Sequence, residues 1–226
     1  MLINAAKQAG VRRFVHVSIT NPSENSPLPY FRGKWQVERA IIESGLSYAI
    51  LRPTVASGPE DILVNNIAWL LRKFPLFAIP GSGEYRLQPI FVGDLAELAV
   101  QGGDSDLNFV RDAVGPETFT FNDLVRRVAQ TVGSRAALVH TPPRLAWMLC
   151  KVIGLMTGDV TLTEDEVQGL IYGLLVSKAA PTGPTSLSEW MNQNAAHLGE
   201  KYASELARHY RHDSEKKRGA GVPARG

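Results

Sequence analysis

Apolar and polar residues recur along this chain with two different periods, and the switches between them lay out its elements. Residues 2–9 carry apolar positions at helical spacing, and Gly10 stands where a left-handed residue would close the helix. Residues 13–17, Arg-Phe-Val-His-Val, form a short apolar run that predicts a buried strand, and a polar stretch follows over 18–29. Helical spacing returns over 30–44 through Tyr30, Lys34, Val37, Glu38, Ile41 and Ile42, until Gly45 stops it. Residues 47–52 read as a second strand, closed by Pro53.

Helix, strand, helix and strand joined by short connections predict a parallel sheet covered by helices. Right-handed crossovers put the carboxyl ends of both strands on one edge of that sheet. Ser18 and Thr54 then share a rim, and ligands of open α/β sheets bind at that rim.

Further along, 61–73 is helical, Pro80-Gly-Ser-Gly83 is a tight turn and 89–92 a short strand. Asp94-Leu-Ala-Glu97 has the spacing of a capping box that opens a helix. A strand over 107–114, an amphipathic helix over 121–132 and a short strand over 137–140 come next. Helices are predicted over 143–157, 163–176 and 187–211, two of them with capping boxes, Thr163-x-x-Glu166 and Ser186-x-x-Glu189. The polar, charged and glycine-rich stretch 213–226 is expected to be disordered.

The 226 residues suit one compact domain with a lobe. A hydrophobic fraction of 44% and a net charge of +2 are those of an ordinary globular chain, and neither calls for nucleic acid as a partner. The single cysteine, Cys150, can form neither an internal disulfide nor a thiolate cage, which fits a reducing, cytoplasmic setting. His140, His197 and His209 lack the spacing of metal ligands, so no metal site is expected. The most apolar stretch, 145–156, is too short to span a bilayer and is interrupted by Lys151. It could still lie against a partner or a membrane face.

Three places carry candidate chemistry. In Tyr30-Phe-Arg-Gly-Lys34 the phenol and the ammonium lie one helical turn apart on one face. A neighbouring ammonium favours tyrosinate, so such a tyrosine can exchange a proton with a substrate oxygen. An unrelated surface pair has the same spacing. Ser18, with Thr20 beside it, puts a hydroxyl at a strand's carboxyl end, where it can meet a substrate carbonyl or simply cap a loop. In Arg52-Pro53-Thr54 the proline either re-aims the chain across the rim or only ends the strand.

These pieces together resemble a known family. Ala5-Ala-Lys-Gln-Ala-Gly-Val-Arg-Arg-Phe-Val-His-Val-Ser18 is similar to the helix and strand that precede the active-site serine of extended and atypical short-chain dehydrogenase/reductases. Tyr30 through Lys34, Val37-Glu38 and Ser44-Gly-Leu-Ser-Tyr-Ala-Ile-Leu-Arg-Pro53 resemble their catalytic helix and following strand. Gln88-Pro-Ile-Phe-Val-Gly-Asp-Leu-Ala96 resembles a later strand and helix. The nearest subgroup is the epimerase/dehydratase-like set related to an accessory subunit of respiratory complex I and to NmrA-like proteins.

The resemblance implies an α/β fold, a partial Rossmann-like doubly wound parallel sheet over 1–115 with a smaller, mostly helical lobe over 116–212. It implies NAD or NADP as cofactor and a small-molecule substrate. Tyr30 becomes the acid/base, and Lys34 holds the nicotinamide ribose and favours the phenolate. Ser18 orients substrate, with Thr20 competing for that place. Pro53, Thr54 and Val55 lie against the nicotinamide. Arg86 stands one position from where the family often grips a substrate phosphate, a place filled by Leu87. The resemblance also implies a homodimer through the tyrosine-bearing helix, and the complex I relative implies peripheral association with a respiratory complex. A non-catalytic accessory or assembly module is the alternative to an enzyme. No Gly-x-Gly-x-x-Gly or Gly-x-x-Gly-x-x-Gly occurs in the chain, so the pyrophosphate loop of the family is not in this sequence and a truncated gene product is expected.

Overall fold

The computed structural model describes residues 2–142, 145, 148 and 164–204. Helix α1 (Leu2–Gln8) leads into strand β1 (Phe14–Val17), helix α2 (Pro29–Glu43) and strand β2 (Tyr48–Pro53). A short strand β3 (Ala56–Ser57), helix α3 (Ile62–Lys73), and strands β4 (Leu76–Pro80), β5 (Arg86–Leu87) and β6 (Ile90–Phe91) follow. Next come helix α4 (Val92–Asp104), strands β7 (Phe109–Ala113) and β8 (Phe119–Thr120), helix α5 (Phe121–Thr131) and strand β9 (Ala137–Thr141). Helices α6 (Glu164–Ile171) and α7 (Leu187–Gln193) complete the described elements. The helix expected over 187–211 ends at Gln193, and 194–204 run on as turns and irregular chain, with Gly199 at φ 70°. The helix expected over 143–157 falls largely outside the described residues, as do Thr163 of the box it forms with Glu166 and the stretch 213–226.

The expected parallel sheet is present. Its order is β1-β2-β7, with Phe14 opposite Tyr48 and Ala49 opposite Phe109. Side chains alternate between the two faces of a strand. His16, Ile50, Arg52 and Asp112 therefore share one face, and Val15, Ala49, Leu51 and Ala113 the other. Helix α2 covers the first face, with Phe31 and Ile41 buried, and α4 covers the second. Gly102 explains how closely α4 can approach, since a Cβ there would stand 3.0 Å from the Cβ of Ala49. Burying a side chain such as Ile41 or Ile50 contributes about 1.5–3 kcal/mol, and both are fully buried.

A second apolar core lies beyond the sheet. It joins Val64, Ala68 and Leu71 of α3 and Phe77 and Ile79 of β4 to Leu124, Val125 and Val128 of α5 and Met191 of α7. That core draws residues from both sides of position 115. Two strand pairs tie it together, β4 with β9 in parallel and β5 with β8 antiparallel. The turn between β4 and β5 forms as expected, with Gly81 at φ 63° and Gly83 at φ 70°.

A second local expectation fails at the start of α4. Asp94 does not open α4, which begins at Val92 with Phe91 as its cap. Asp94 is buried in the first turn, and its carboxylate accepts from the Thr185 backbone N–H at 2.9 Å and the Thr185 hydroxyl at 2.8 Å. A partner 91 positions away takes the carboxylate that local spacing assigned to the helix end. Ser186 does cap α7, its hydroxyl accepting from the Glu189 N–H at 3.2 Å.

Candidate functional site

The carboxyl ends of β1 and β2 meet as the alternation predicts. The Ser18 N–H donates to Leu51 O at 2.7 Å, and the Thr20 N–H to Pro53 O at 2.8 Å. The chain thus stays against β2 for three residues past β1, which holds 18–20 at the rim. Asn21 then turns in the left-handed region at φ 56°, a conformation that asparagine tolerates better than most residues. Its side-chain amide donates to Leu174 O at 2.9 Å and to Val176 O at 3.0 Å. These bonds strap the 174–177 segment over the rim. Leu174 and Leu175 pack on Ile19, Leu28 and Phe31 below it.

Ser18 and Thr20 have different fates. The Thr20 hydroxyl donates to Arg52 O at 2.8 Å, and the residue is fully buried. Ser18 is only 4% exposed, yet its hydroxyl has no partner among the described residues. A buried hydroxyl left unpaired costs on the order of 1–3 kcal/mol, so an unspent one at the strands' carboxyl ends is a candidate to meet a ligand. Two residues earlier, on the same face, His16 Nε2 is also buried and has no partner among the described residues. Burial, then the nearby Lys34 charge, holds the His16 imidazole below its ordinary pKa, while Glu38 opposes them.

Helix α2 brings Tyr30 and Lys34 to this rim. The Lys34 ammonium donates to Val17 O at 3.2 Å and lies 5.6 Å from the centroid of the Tyr30 ring. The paired spacing in the sequence is therefore a contact in space. Tyr30 is half exposed, at 50%, and its ring stands edge-on to Phe31 at 5.8 Å. Burial lowers the Lys34 pKa, and the Glu38 carboxylate pulls it back up. Charge at the lysine thus depends on a residue one further turn along α2.

Beyond β2, the Thr54 hydroxyl donates to Gln88 O, so that side chain is spent on the fold. Pro53 is buried, and Val55 accepts the Ile90 N–H on its carbonyl at 2.9 Å. Gln88 is itself locked, donating to Gly115 O at 2.9 Å and accepting from the Ser177 N–H at 3.3 Å. Arg86 is exposed on β5, while its neighbour Leu87 is fully buried and bridges to Leu175 of the strap. No group of three metal-binding side chains gathers among the described residues. Nor is any helix there long and apolar enough to cross a membrane.

Two carboxylates to which the sequence assigned no role, Glu38 and Asp112, lie beside the rim. Arg52 makes a forked contact with Glu38, Nε to Oε1 at 3.0 Å and Nη2 to Oε2 at 2.5 Å. Asp112 stands next to Arg52 across the β2–β7 ladder and accepts the Ser177 hydroxyl. The i, i+4, i+8 series of Tyr30, Lys34 and Glu38 was the available signal for Glu38. Nothing local announced Asp112.

No family model matches the chain. It is 25% identical over 187 residues to the mitochondrial NADH dehydrogenase (ubiquinone) 1 alpha subcomplex subunit 9 of Arabidopsis thaliana, covering 78% of this chain and 46% of that protein. It is 24% identical to the photosystem II assembly factor Ycf39 of Cyanidium caldarium, over 68% of this chain and 49% of that one. The chain thus spans about half the length of these curated relatives. Among solved structures, the NADPH-dependent quinone oxidoreductase QOR2 of Escherichia coli superposes with a TM-score of 0.67 at 21% identity, covering 87% of this chain and 69% of that one. A UDP-glucose 4-epimerase of Thermotoga maritima superposes at 0.60 with 22% identity, covering 87% and 66%.

Proposed function

We propose that this chain, a relative of the extended and atypical short-chain dehydrogenase/reductases, forms the nicotinamide end of an NAD(P) site at the rim of β1 and β2, with Tyr30, Lys34 and Ser18 acting on a small polar substrate there. The observation that carries this reading is the Ser18 hydroxyl, buried and without a partner among the described residues, next to Val17, whose carbonyl accepts from the Lys34 ammonium. The neighbouring structures' names add weight, one of them complexed with NADPH.

The residues present fit that end of the cofactor. An unspent buried hydroxyl, an ammonium and a phenol suit a ribose and a reacting oxygen. The sequence holds no glycine-rich turn for the pyrophosphate, so the fit extends to the nicotinamide ribose only. The cofactor, when bound, supplies the carbon that gives or takes hydride.

The chain's own groups do the rest. Lys34 directs its ammonium to a ribose hydroxyl and favours phenolate at Tyr30. Tyr30 exchanges a proton with the substrate oxygen, and its half-exposed position leaves it accessible. Ser18 donates to the same oxygen and fixes its place. The hydroxyls of Thr20 and Thr54 are engaged with Arg52 O and Gln88 O, so Thr20 is the weaker candidate for the serine's role. Residues 53–55 then contribute a wall and backbone groups rather than hydroxyls. Arg86, exposed on β5, is the candidate for the far end of a substrate.

Titration with NADH and NADPH, followed by nicotinamide fluorescence, tests the cofactor step. Tyr30→Phe is expected to keep that binding and lose turnover of quinone or sugar-nucleotide substrates by about 100-fold or more. Unchanged turnover in the variant would remove Tyr30 from the reaction. A second reading follows from the relatives' names, a respiratory-complex subunit and an assembly factor. In it the same rim binds nucleotide without turning over, and the chain co-purifies with a membrane complex.

A further inference from the structure

Glu38 is the most deeply buried carboxylate beside the rim, at 2% exposure. A charge removed from water this far is costly unless it is paired in good geometry. The Arg52 guanidinium supplies that pairing as a fork, from the strand on which α2 rests. Arg52 is in turn flanked by Asp112 on β7. The pair therefore bolts a single point of α2 to the middle of the sheet.

What that bolt holds is the stripe facing the rim. Tyr30, Lys34 and Glu38 are spaced by four, so they rise along one face of α2 with about 6 Å between neighbours. Fixing Glu38 against Arg52 sets the rotation of the helix and its height. Lys34 is then carried to Val17 O, at 3.2 Å. The groups around Lys34 are Tyr30 and Glu38 on α2 and His16 on β1, with Arg52 on β2 behind Glu38. Glu38 alone among them is an anion.

We infer that Glu38 is a positioning residue for Lys34: its ion pair with Arg52 fixes the face of α2 that meets the rim, and its carboxylate supplies the negative charge that Lys34 faces. The purpose of this arrangement rests on the reading of the rim as a nicotinamide site. The arrangement itself does not. Burial works against the lysine's charge and Glu38 works for it, so loss of the carboxylate leaves the ammonium facing an imidazole, a phenol and a guanidinium.

The test uses the full chain with lysines dimethylated by 13C-formaldehyde, each titrated by NMR, and Lys34 assigned from the Lys34→Arg spectrum. The Lys34 midpoint is expected below those of the exposed lysines. Glu38→Gln should move it further down, and Glu38→Asp, which keeps the charge, should return it toward its starting value. Should the buried amide of Glu38→Gln prevent folding, the paired variant Glu38→Met with Arg52→Met removes both charges and leaves neither unpaired. Its Lys34 midpoint should also fall, because Glu38 is the charge that faces the lysine. A folded variant of either kind with an unmoved Lys34 midpoint overturns the inference. The titration needs no cofactor. Failure of the unmodified chain to bind NADH or NADPH would instead strike the functional reading and leave the Lys34 result standing.

Discussion

The rim at 18–21 and the glycine turn at 80–84 are both bends crowded with polar groups, but they use those groups in opposite ways. At the turn, Asn122 spends its whole side chain. Its Nδ2 donates to Ser82 O at 2.9 Å and to Glu84 Oε1 at 2.6 Å, and its Oδ1 meets His140 Nε2 at 3.0 Å. Its backbone N–H adds a bond to Gly83 O at 3.0 Å. At the rim, Ser18 Oγ and His16 Nε2 are buried and bond to nothing among the described residues. A saturated bend stabilises the fold, whereas an unsaturated one withholds stability and keeps donors for something else. Glycines alone would have suggested the turn as the ligand loop, and its bonding argues against that.

The contrast can be broken at several points. Gly83→Ala should have the largest effect. The position needs positive φ, and a Cβ would come within 2.3 Å of Asn122 Oδ1. A loss of about 3 kcal/mol is expected in urea unfolding, from backbone strain and overpacking together. Asn122→Ala should lose about 2 kcal/mol by the same measurement, because it removes the three hydrogen bonds of a buried side-chain amide. Thr20→Val deletes one bond to Arg52 O and should cost about 1 kcal/mol. Ser18→Ala should leave stability within about 0.5 kcal/mol of the parent or raise it, since no bond is lost. A Ser18→Ala cost as large as that of Thr20→Val would show that the serine hydroxyl is part of the scaffold.

The smallest expected effect is on pH dependence. Burial, with Lys34 nearby, lowers the folded-state pKa of His16, so the unfolded chain takes up that proton more readily. Its contribution to stability is complete above the unfolded value, about 6.5, and fades as pH falls through that value toward the folded one. His16→Gln should flatten the melting temperature across that window. An unaltered slope would mean that another group titrates there.

The sequence revealed the parts of this molecule that depend on neighbours in the chain. Strand and helix periods placed β1, α2 and β2, and the four-residue spacing placed Tyr30 over Lys34. Ser18 and Thr20 could not be separated that way. Their difference lies in a carbonyl of Arg52, 32 positions from Thr20. Asp94 was misread for a similar reason, since Thr185 decides its role. The Thr54 bond to Gln88 O, and the flanking of Arg52 by Asp112, also arise only once distant strands have paired. Hydrogen-bond saturation belongs to tertiary structure, and local spacing carries no record of it.

The Asn21 strap has a kinetic consequence. Its two bonds close loops of 153 and 155 positions. Contacts so far apart in the chain are entropically expensive to bring together and tend to form late. The sheet and α2 can assemble from nearby sequence, but the cover of the rim must wait for the arrival of 174–177. A chain caught before that moment would have its Tyr30 and Lys34 in place and the rim at 18–21 still uncovered.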